Sequence, residues 1–415
     1  MRLSKLFTKT SKNISKDETS VNAQLLIRAG YIFKMMAGVY AFTPLGLRVV
    51  ENIKQIIREE MNAIDGQELI MTNLQPKEIW NQTGRWDDDV VDVWFKTELK
   101  DGNEVGLAWS HEEAIMEMMR QHIKSYKDLP TSVYQFQTKL RNELRAKSGI
   151  MRGREFVMKD MYSLHATEED LDAYYEGVKK AYMTIFDRLG IGNDTYITFA
   201  SGGAFTQFSH EFQTLCEVGE DTLYLNREKN IAVNEEVLEA ALKEFDIKKE
   251  DMEVVKASEV GNIFNFGTEK SEQMKIHYTD SDGKNQPIYL ASYGIGVTRV
   301  MGVIVEKFAD DRGIVWPENI APYKVHLTCL SKNEEVLNQA EELYKDLQSK
   351  GIDVLFDDRP KLGAGQRLGD ADLLGMPYRI LISDKSLEAG GVEFTVRKTR
   401  ESNVISIEEA TKKLI

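Results

Sequence analysis

The chain contains only two cysteines, Cys216 and Cys329, which lie far apart and form no CxxC pair. Cysteines in this number and spacing predict neither a disulfide framework nor a zinc site, and they suit a reducing cytoplasm. The chain also lacks a run of about 18 apolar residues, so no transmembrane helix is expected. We therefore expect a cytoplasmic protein of 415 residues that binds no zinc and does not span a membrane.

An excess of positive charge is also missing, because 53 lysines and arginines stand against 67 aspartates and glutamates and leave a net charge of −14. This total weighs only weakly against nucleic-acid binding, which depends on local patches of positive charge. One such patch lies between residues 139 and 154. Its members are Lys139, Arg141, Arg145, Lys147, Arg152 and Arg154.

The sequence has no GxxxxGK[ST] loop of the P-loop enzymes. Residues 134–165 instead read as a strand, a loop rich in Arg, Lys and Gly, and a second strand. Arg141 and Glu143 stand two apart at the end of the first strand, so they would share one face. Arg152 lies in the loop, and Phe156 opens the second strand. Guanidinium groups bind phosphates, a carboxylate can accept from an adenine amino group, and a ring can stack on the base, so this segment indicates a nucleoside triphosphate site.

The periodicity of the first 320 residues predicts antiparallel strands with flanking helices. Apolar residues at helical spacing predict a helix over residues 47–64, and a strand follows over 68–72. Further predicted elements are a hairpin over 92–110, a helix from Thr167 to Gly190 or Gly192, and a hairpin over 275–293. Together they predict an α+β domain over residues 1–320 rather than a parallel Rossmann sheet.

A second domain is predicted after residues 316–323, where two prolines punctuate the sequence WPENIAPY. Beyond this point an apolar strand, a helix and two further apolar strands follow each other through short loops. Strand–helix–strand order is typical of parallel pairing, so residues 323–415 are predicted to form an α/β domain.

Residues 134–165 carry RxE, a loop and RxxxF, and in this they resemble motif 2 of the class II aminoacyl-tRNA synthetases. SYGIGVTRVMGVIVE, at 292–306, resembles motif 3 of the same class, with its arginine at Arg299. LAWSHEE at 107–113 and SHEF at 209–212 resemble the amino-acid-pocket segments of the prolyl enzymes. The resemblance to the prolyl-tRNA synthetase family covers nearly the whole chain.

The resemblance extends to both ends of the chain. Residues 47–76 resemble motif 1, which builds a homodimer interface in the class, although Thr72 stands where the family has proline and Pro76 is kept. Residues 323–415 resemble the anticodon-binding domain that prolyl, threonyl, glycyl and histidyl enzymes share. The N-terminal sixteen residues are basic and rich in hydroxyls, as in a transit peptide, but the resemblance places them at the start of the catalytic domain.

The resemblance implies activation of L-proline by ATP and transfer of proline to the 3′ end of proline tRNA. Arg141 would bind the α-phosphate and the substrate carboxylate, while Arg152 and Arg299 would hold the γ-phosphate. Glu143 would accept from the adenine amino group, and Phe156 would stack on the adenine ring. Magnesium would assist through phosphate oxygens and carboxylates; the candidate ligands are Glu211 and Glu217.

The proline pocket implied by the resemblance needs an acceptor for the charged secondary amine and an apolar wall for the ring. Its candidate residues are Ser110, Glu112, Arg141, Ser209 and His210. The family usually has Gly-Pro-Thr where this chain has Ala108-Trp109-Ser110, and Gly-Gly where it has Phe205-Thr206, its own glycine pair being Gly202-Gly203.

In the C-terminal domain, Arg359, Lys361 and Arg367, close to Asp358, are candidate contacts to splayed anticodon bases. Residues of these types also suit an ordinary solvated loop, and the sequence leaves both readings open.

Residues 221–272 form a segment too short to hold the large editing domain that most bacterial prolyl enzymes carry between motifs 2 and 3. The chain is therefore predicted to be a short form without that domain. Two alternatives remain: another class IIa synthetase, although the threonyl pocket uses zinc and this chain lacks the Cys/His set, or a non-catalytic tRNA-binding paralogue. Retention of Arg141, Arg152 and Arg299 favours catalysis over the second alternative.

Overall fold

The computed structural model of the protein describes residues 1–13, 18–146, 148–201, 208–229, 231–244 and 247–415. Lys147 of the basic patch and the positions that depart from the family's Gly-Gly, namely Gly202, Gly203, Phe205 and Thr206, lie outside these residues. Within the described part, no helix is long and apolar enough to span a bilayer.

The described residues form twelve α-helices and twenty-one strands. The helices are α1 Val21–Arg28, α2 Pro44–Ala63, α3 Lys77–Asn81, α4 Glu112–His122, α5 Glu168–Arg188, α6 Leu238–Glu244, α7 Glu269–Gln273, α8 Val297–Phe308, α9 Glu334–Ser349, α10 Ala364–Leu374, α11 Asp384–Glu388 and α12 Ile407–Lys412. The strands are β1 Ile32–Met36, β2 Val39–Phe42, β3 Gln67–Glu68, β4 Leu74–Pro76, β5 Lys96–Glu98, β6 Glu104–Leu107, β7 Thr131–Leu140, β8 Glu155–His165, β9 Thr195–Ser201, β10 Phe208–Leu215, β11 Asp221–Asn226, β12 Ile231–Asn234, β13 Glu253–Gly267, β14 His277–Thr279, β15 Asn285–Pro287, β16 Tyr289–Gly296, β17 Val325–Leu330, β18 Val354–Asp357, β19 Tyr378–Ser383, β20 Val392–Val396 and β21 Ser402–Ile405.

The chain divides into two compact units. The large unit contains Met36–Val39 and Ile53–Val303, and the small unit contains Met1–Met35, Tyr40–Asn52 and Ile304–Ile415.

A nine-stranded sheet forms the centre of the large unit, with the strand order β10-β9-β12-β11-β13-β16-β8-β7-β3. Its neighbouring strands pair antiparallel, except for β12 with β9 and β3 with β7. The predicted antiparallel α+β architecture is therefore confirmed. The predicted strand–loop–strand is the antiparallel pair β7 and β8, and β16 leads directly into α8 as motif 3 requires.

The helix predicted over 47–64 is α2, but the strand expected to follow it is only two residues long. Beyond Glu68, the Leu69 N–H donates to the carbonyl of Tyr134, and the Met71 N–H donates to the side chain of Gln135. The chain leaves the β-ladder here because the side-chain oxygen of Gln135, rather than a backbone carbonyl, accepts the bond from Met71.

A five-stranded sheet, ordered β18-β17-β19-β20-β21, forms the centre of the C-terminal part of the small unit. Strand β17 pairs parallel with both β18 and β19, as predicted, whereas β20 and β21 add an antiparallel edge. One face of the sheet packs on α9 through buried apolar residues that include Leu327, Leu343, Val354 and Ile380.

An ion pair within the small unit should contribute measurably to stability. Both Asp310 oxygens accept from the buried Arg397, at 2.6 and 2.7 Å, and this pairing holds the pKa of Asp310 well below its usual range. A lowered pKa means that the pair stabilises the fold above about pH 4 and loses this contribution as the pH falls further. We expect Asp310→Asn to lower Tm by a few degrees at pH 7 and by progressively less as the pH falls below about 4, in circular-dichroism melts.

Asp311→Asn is the matched control for this variant, because Asp311 pairs with Arg400 while its side chain stays 75% exposed. An exposed pair contributes little. Equal Tm losses in both variants would show that the Asp310–Arg397 pair stabilises the fold no more than an exposed ion pair does.

Candidate active site

A cavity of about 270 Å³ opens on one face of the nine-stranded sheet in the large unit. Strand β8 forms part of its floor through alternate residues, Phe156, Met158, Asp160 and Tyr162. Successive strand residues point to opposite faces. Accordingly Lys159 lies on the other face, where it donates to the Tyr182 hydroxyl of α5. The remaining walls come from β13, β16, the start of α8, Glu143, residues 150–153, Ser110 and Glu112.

Arg141 lies in this cavity directly after β7, held by a backbone bond from its N–H to the carbonyl of Arg154. Its guanidinium lies 5.4 Å from the centre of the Phe156 ring and makes only long bonds, both 3.4 Å, to the Trp109 carbonyl. Within the described residues Arg141 forms no ion pair. Burial and the neighbouring charge of Arg299 lower the pKa of Arg141. A partly buried cation in this state is suited to bind an anion.

Arg152 and Glu143 also line the cavity, but they are bonded to each other. Arg152 donates to Glu143 at 2.9 Å and to Glu220 at 2.5 Å, while its side chain stays 42% exposed. Burial lowers the pKa of Arg152, but the two carboxylates outweigh it and raise that pKa. If Arg152 bound a phosphate and Glu143 bound an adenine amino group, these contacts would therefore replace the ion pair between the two side chains.

Arg299, on the first turn of α8, is fixed by three bonds. Its Nε donates to the Met151 carbonyl at 2.8 Å, and its Nη1 donates to the carbonyl and carboxylate of Glu259 at 2.7 and 3.1 Å. Gly302 lets the helix approach the loop, because a Cβ there would lie 2.7 Å from Met151 Cγ. The glycine spacing of motif 3 therefore serves to place Arg299.

Ser110 and Glu112 bring a negative charge into the same cavity. The Ser110 hydroxyl donates to Glu112 Oε2 at 2.6 Å, and the Glu112 side chain is only 3% exposed. Burial would raise the pKa of Glu112, but Arg85 and Ser110 outweigh it and hold that pKa below its usual value. The pair thus presents an ionised carboxylate in a cavity that also has aromatic and thioether walls.

Ser209 and His210 are not among the residues that line the cavity. Ser209 is buried on β10. The next residue, His210, points to the opposite face. There its Nδ1 shares a hydrogen bond of 2.9 Å with the Tyr175 hydroxyl, and its Nε2 lies 3.4 Å from the Lys179 ammonium. Burial and Lys179 lower the pKa of His210 to about 4, so the ring is neutral at pH 7. Strand alternation thus directs His210 to α5 rather than to the cavity, and its role in the proline pocket stays a prediction.

The candidate magnesium ligands have different surroundings. Glu217 is exposed beyond the end of β10. Glu211 lies beside the cavity, since Asn262, a cavity residue, donates to Glu211 at 3.4 Å and to Glu259 at 3.0 Å. Burial and the charge of Glu259 raise the pKa of Glu211 to about 8. Among the described residues, no three His, Cys, Asp or Glu side chains converge on one point.

The candidate anticodon residues lie in the small unit. Arg359 donates to Asp357 at 2.8 and 2.9 Å and to Asp370 at 3.0 Å. Arg367 is buried and donates to the carbonyls of Cys329 and Asp357. The guanidinium of Arg367 joins α10 to β17 and β18, and its role as an RNA contact stays a prediction. Lys361 is exposed, and its role as an RNA contact stays a prediction.

Sequence reasoning missed several residues of the site. Met158, Asp160 and Tyr162 follow Phe156 at the strand period, so alternation along β8 was a usable signal. Glu259 and Asn262 had no such signal, because β13 lies in the ambiguous segment 221–272 and shows no regular alternation of burial.

The chain matches two family models. The tRNA synthetase class II core domain (G, H, P, S and T) matches residues 95–308, and an anticodon binding domain matches residues 324–415. The first match covers the cavity and all three of its candidate arginines. The chain therefore belongs to the class II aminoacyl-tRNA synthetases.

Curated relatives narrow this class. The proline--tRNA ligase of Wolbachia pipientis wMel is 37% identical over 429 residues, which cover 99% of this chain and 98% of the relative. That of Paracoccus denitrificans (strain Pd 1222) is 36% identical, over 100% of this chain and 97% of the relative. The chain is a member of the prolyl-tRNA synthetase family, which confirms the resemblance found in the motifs.

Solved structures agree in fold. A Giardia lamblia prolyl-tRNA synthetase in complex with prolyl-adenylate has a TM-score of 0.78 at 22% identity, over 93% of this chain and 74% of that one. A Cryptosporidium parvum prolyl-tRNA synthetase complexed with L-proline and AMP has a TM-score of 0.75 at 17% identity, over 94% of this chain and 73% of that one.

Proposed function

We propose that this protein activates L-proline with ATP and then transfers proline to the 3′ end of proline tRNA, as a proline--tRNA ligase. The observation that carries this proposal is the content of one cavity. Arg141 has no ion partner among the described residues, Arg152 and Arg299 line the same space, and an ionised Glu112 lies there too. Cations for a triphosphate and an anion for an ammonium group match ATP and an amino acid.

In the first step a proline carboxylate oxygen attacks the α-phosphorus of ATP. The bond from that phosphorus to the oxygen bridging to the β-phosphate breaks, and pyrophosphate leaves. Both reactants are anions, so the main task of the site is to offset their repulsion and hold them in line. Arg141 does this from between the two charges, because its guanidinium donors can reach a carboxylate and a phosphate together.

Arg152 and Arg299 would hold the γ-phosphate, while Glu143 and Phe156 would bind the adenine. ATP binding would then take Arg152 away from Glu143 and Glu220. Magnesium, when bound, would neutralise phosphate charge through oxygens of the triphosphate and a carboxylate. Glu211 fits this role better than Glu217, because its raised pKa reflects a crowded negative site that a cation would relieve.

In the second step the 3′-hydroxyl of the terminal ribose attacks the prolyl carbonyl carbon, and a phosphate oxygen of the adenylate takes its proton. The bond from the carbonyl carbon to the phosphate oxygen breaks, and AMP leaves. The C-terminal domain, proposed to span residues 323–415, would read the anticodon with Lys361 among its contacts. The catalytic domain would span residues 1–320. A homodimer built through residues 47–76 and a cytoplasmic location complete the proposal.

Amino-acid-dependent ATP–pyrophosphate exchange tests the proposal directly. The purified protein, with magnesium, is assayed against each of the twenty amino acids. We expect proline to give the highest rate by a wide margin. Exchange with a different amino acid would support the proposed ATP site but contradict the proposed proline pocket. No exchange with any amino acid would favour a non-catalytic paralogue.

A prediction about accuracy follows from the short segment 221–272. The proline--tRNA ligase of Halothermothrix orenii aligns over 562 residues, so that relative is longer than this chain of 415. If the missing part is the editing domain, misacylated tRNA is not corrected by the protein itself. A methylene group separates substrates by only about 1–3 kcal/mol in an apolar pocket, and alanine is small enough to enter.

We therefore expect the protein to charge proline tRNA with alanine and to leave the product intact. The measurement uses radioactive alanine and compares deacylation of alanyl-tRNA with and without the protein. Equal rates agree with the prediction. Faster hydrolysis in the presence of the protein alone would show that an editing site exists elsewhere in the chain.

A further inference from the structure

Arg85 is a buried cation that lies behind the cavity rather than in it. Its side chain is 2% exposed, and it is not one of the cavity residues. The guanidinium carbon lies 4.6 Å from the ring centre of Trp109 and 5.2 Å from that of Trp80. The aromatic faces stabilise the charge, but a cation this deep also needs anionic partners.

The anionic partners of Arg85 are the first two residues of α4. Its Nη1 donates to both oxygens of Glu113, at 2.9 and 3.0 Å. Both terminal nitrogens also donate to one oxygen of Glu112, at the longer distance of 3.3 Å. Thr83 donates to Glu113 at 2.7 Å, and the Lys270 ammonium lies 3.6 Å from it. Glu113 is therefore the closer partner and is itself held in place.

This difference in distance matters for Glu112, the carboxylate that lines the cavity. A buried carboxylate needs a nearby cation to stay ionised. A cation that bound it too closely would satisfy the charge and leave little attraction for a ligand. Arg85 lies closer to Glu113, so it stabilises the charge of Glu112 from the longer distance of 3.3 Å to Oε2. The Ser110 hydroxyl donates to the same Oε2 at 2.6 Å and orients it.

We propose that Arg85 and Glu113 are a positioning pair for the amino-acid site. Glu113 anchors the guanidinium on the side away from the cavity, and Arg85 fixes Glu112 there as a pre-oriented acceptor for the secondary ammonium of proline. The inference rests on the proposed function of the site. Neither residue touches the substrate; both act through Glu112.

The proposal predicts a separation of kinetic effects. Glu113→Gln removes the anchor, so Arg85 turns its charge to Glu112; we expect the KM for proline to rise by about tenfold or more, since bonds to charged groups are involved. The KM for ATP should change by less than about twofold, because uniform binding of the amino acid alone is affected. Both constants come from ATP–pyrophosphate exchange.

The pH profile provides a second readout. Arg85→Met removes the cation beside Glu112, so the pKa of that carboxyl rises. We expect the acid limb of kcat/KM for proline to move up by about one pH unit. A merely structural loss would lower the rate at every pH and leave the limb in place. If this variant does not fold, Arg85→Lys, which keeps the charge but loses the fork, tests the same point through the proline KM.

The double variant Arg85→Met/Glu113→Gln distinguishes positioning from simple charge balance. It removes one positive and one negative buried charge together, so Tm should recover relative to Arg85→Met. If the pair positions Glu112, the KM for proline stays raised despite this recovery. A proline KM equal to that of the wild type would overturn the proposal.

Arg120→Met is the matched control, because Arg120 lies on the same helix and pairs with Glu117 near the surface. Its proline KM should equal that of the wild type. An inactive wild-type protein would refute the proposed function, whereas an active one with normal Glu113→Gln kinetics would refute only the positioning pair.

Discussion

Replacing Arg141 with alanine should reduce proline-dependent ATP–pyrophosphate exchange by about a thousandfold, close to the cost of removing a key donor from an anion-stabilising site. The reason is electrostatic. Among the described residues Arg141 is the cavity arginine that forms no ion pair, so its guanidinium donors are available to the reacting anions. Arg152 and Arg299 already share theirs with Glu143, Glu220 and Glu259.

The loss should appear in kcat rather than in folding. The Arg141 side chain makes only two long bonds, and its pKa is lowered by burial and by Arg299, so the folded protein gains little from it. We expect Arg141→Ala to keep or slightly raise Tm, as happens where a binding site sacrifices stability. Arg141→Lys should be intermediate, because an ammonium keeps the charge but not the two-pronged geometry.

Arg145→Ala is the matched control, since Arg145 lies in the same loop and is exposed. Exchange needs no tRNA, so any contact of Arg145 with RNA does not affect the assay. Exchange by Arg141→Ala within tenfold of the wild type would refute the role of Arg141 in binding the α-phosphate.

The local sequence pattern was sufficient to predict most of the central site. Arg141, Glu143, Arg152 and Phe156 occupy one segment, and the strand period and loop length bring them to one cavity. Arg299 follows from a strand that enters a helix with glycine spacing. These predictions depend on contacts that are close in sequence or set by regular geometry.

Other parts of the site depend on contacts that no local pattern encodes. Arg85 reaches Glu112 and Glu113 across more than twenty residues, and only the packing of the tryptophans around it shows that it is buried. Arg367 is a second example, because it was predicted to contact RNA and its side chain is buried. An arginine in a polar stretch looks the same whether it faces RNA or the interior, and the docking of α10 on β17 decides between them.

The fold of the segment 221–272 was harder to predict for a similar reason. Strand β13 runs over Glu253–Gly267 and pairs in turn with β11, β10 and β16, so its exposed and buried residues change along its length. Because its buried residues follow no regular period, the sequence pattern does not predict a strand here. The cavity carboxylate Glu259 was missed with it.

Glu112→Gln is expected to lower kcat/KM for proline by about a hundredfold, with the KM for ATP unchanged, because a charge-assisted bond to the substrate ammonium is lost. Glutamine has nearly the same shape and can still accept one bond from Ser110. Arg85 keeps its closer partner Glu113, so the helix start should stay folded. The change therefore isolates the charge of the carboxylate.

Tetrahydrofuran-2-carboxylate sharpens this test, since it has the ring and carboxylate of proline but an ether oxygen in place of the ammonium. The wild-type Glu112 carboxylate repels that oxygen, whereas the glutamine amide of Glu112→Gln can donate to it. We expect the analogue to inhibit proline-dependent exchange weakly in the wild type and more strongly in the variant.

Glu117→Gln is the control for both measurements, because Glu117 lies on the same helix and pairs with Arg120 near the surface. Its kinetics and inhibition should match the wild type. If Glu112→Gln keeps the wild-type preference for proline over the analogue, the carboxylate does not read the amine. The discrimination would then have to come from the aromatic walls, through attraction of the ammonium to a ring face, or from Ser110.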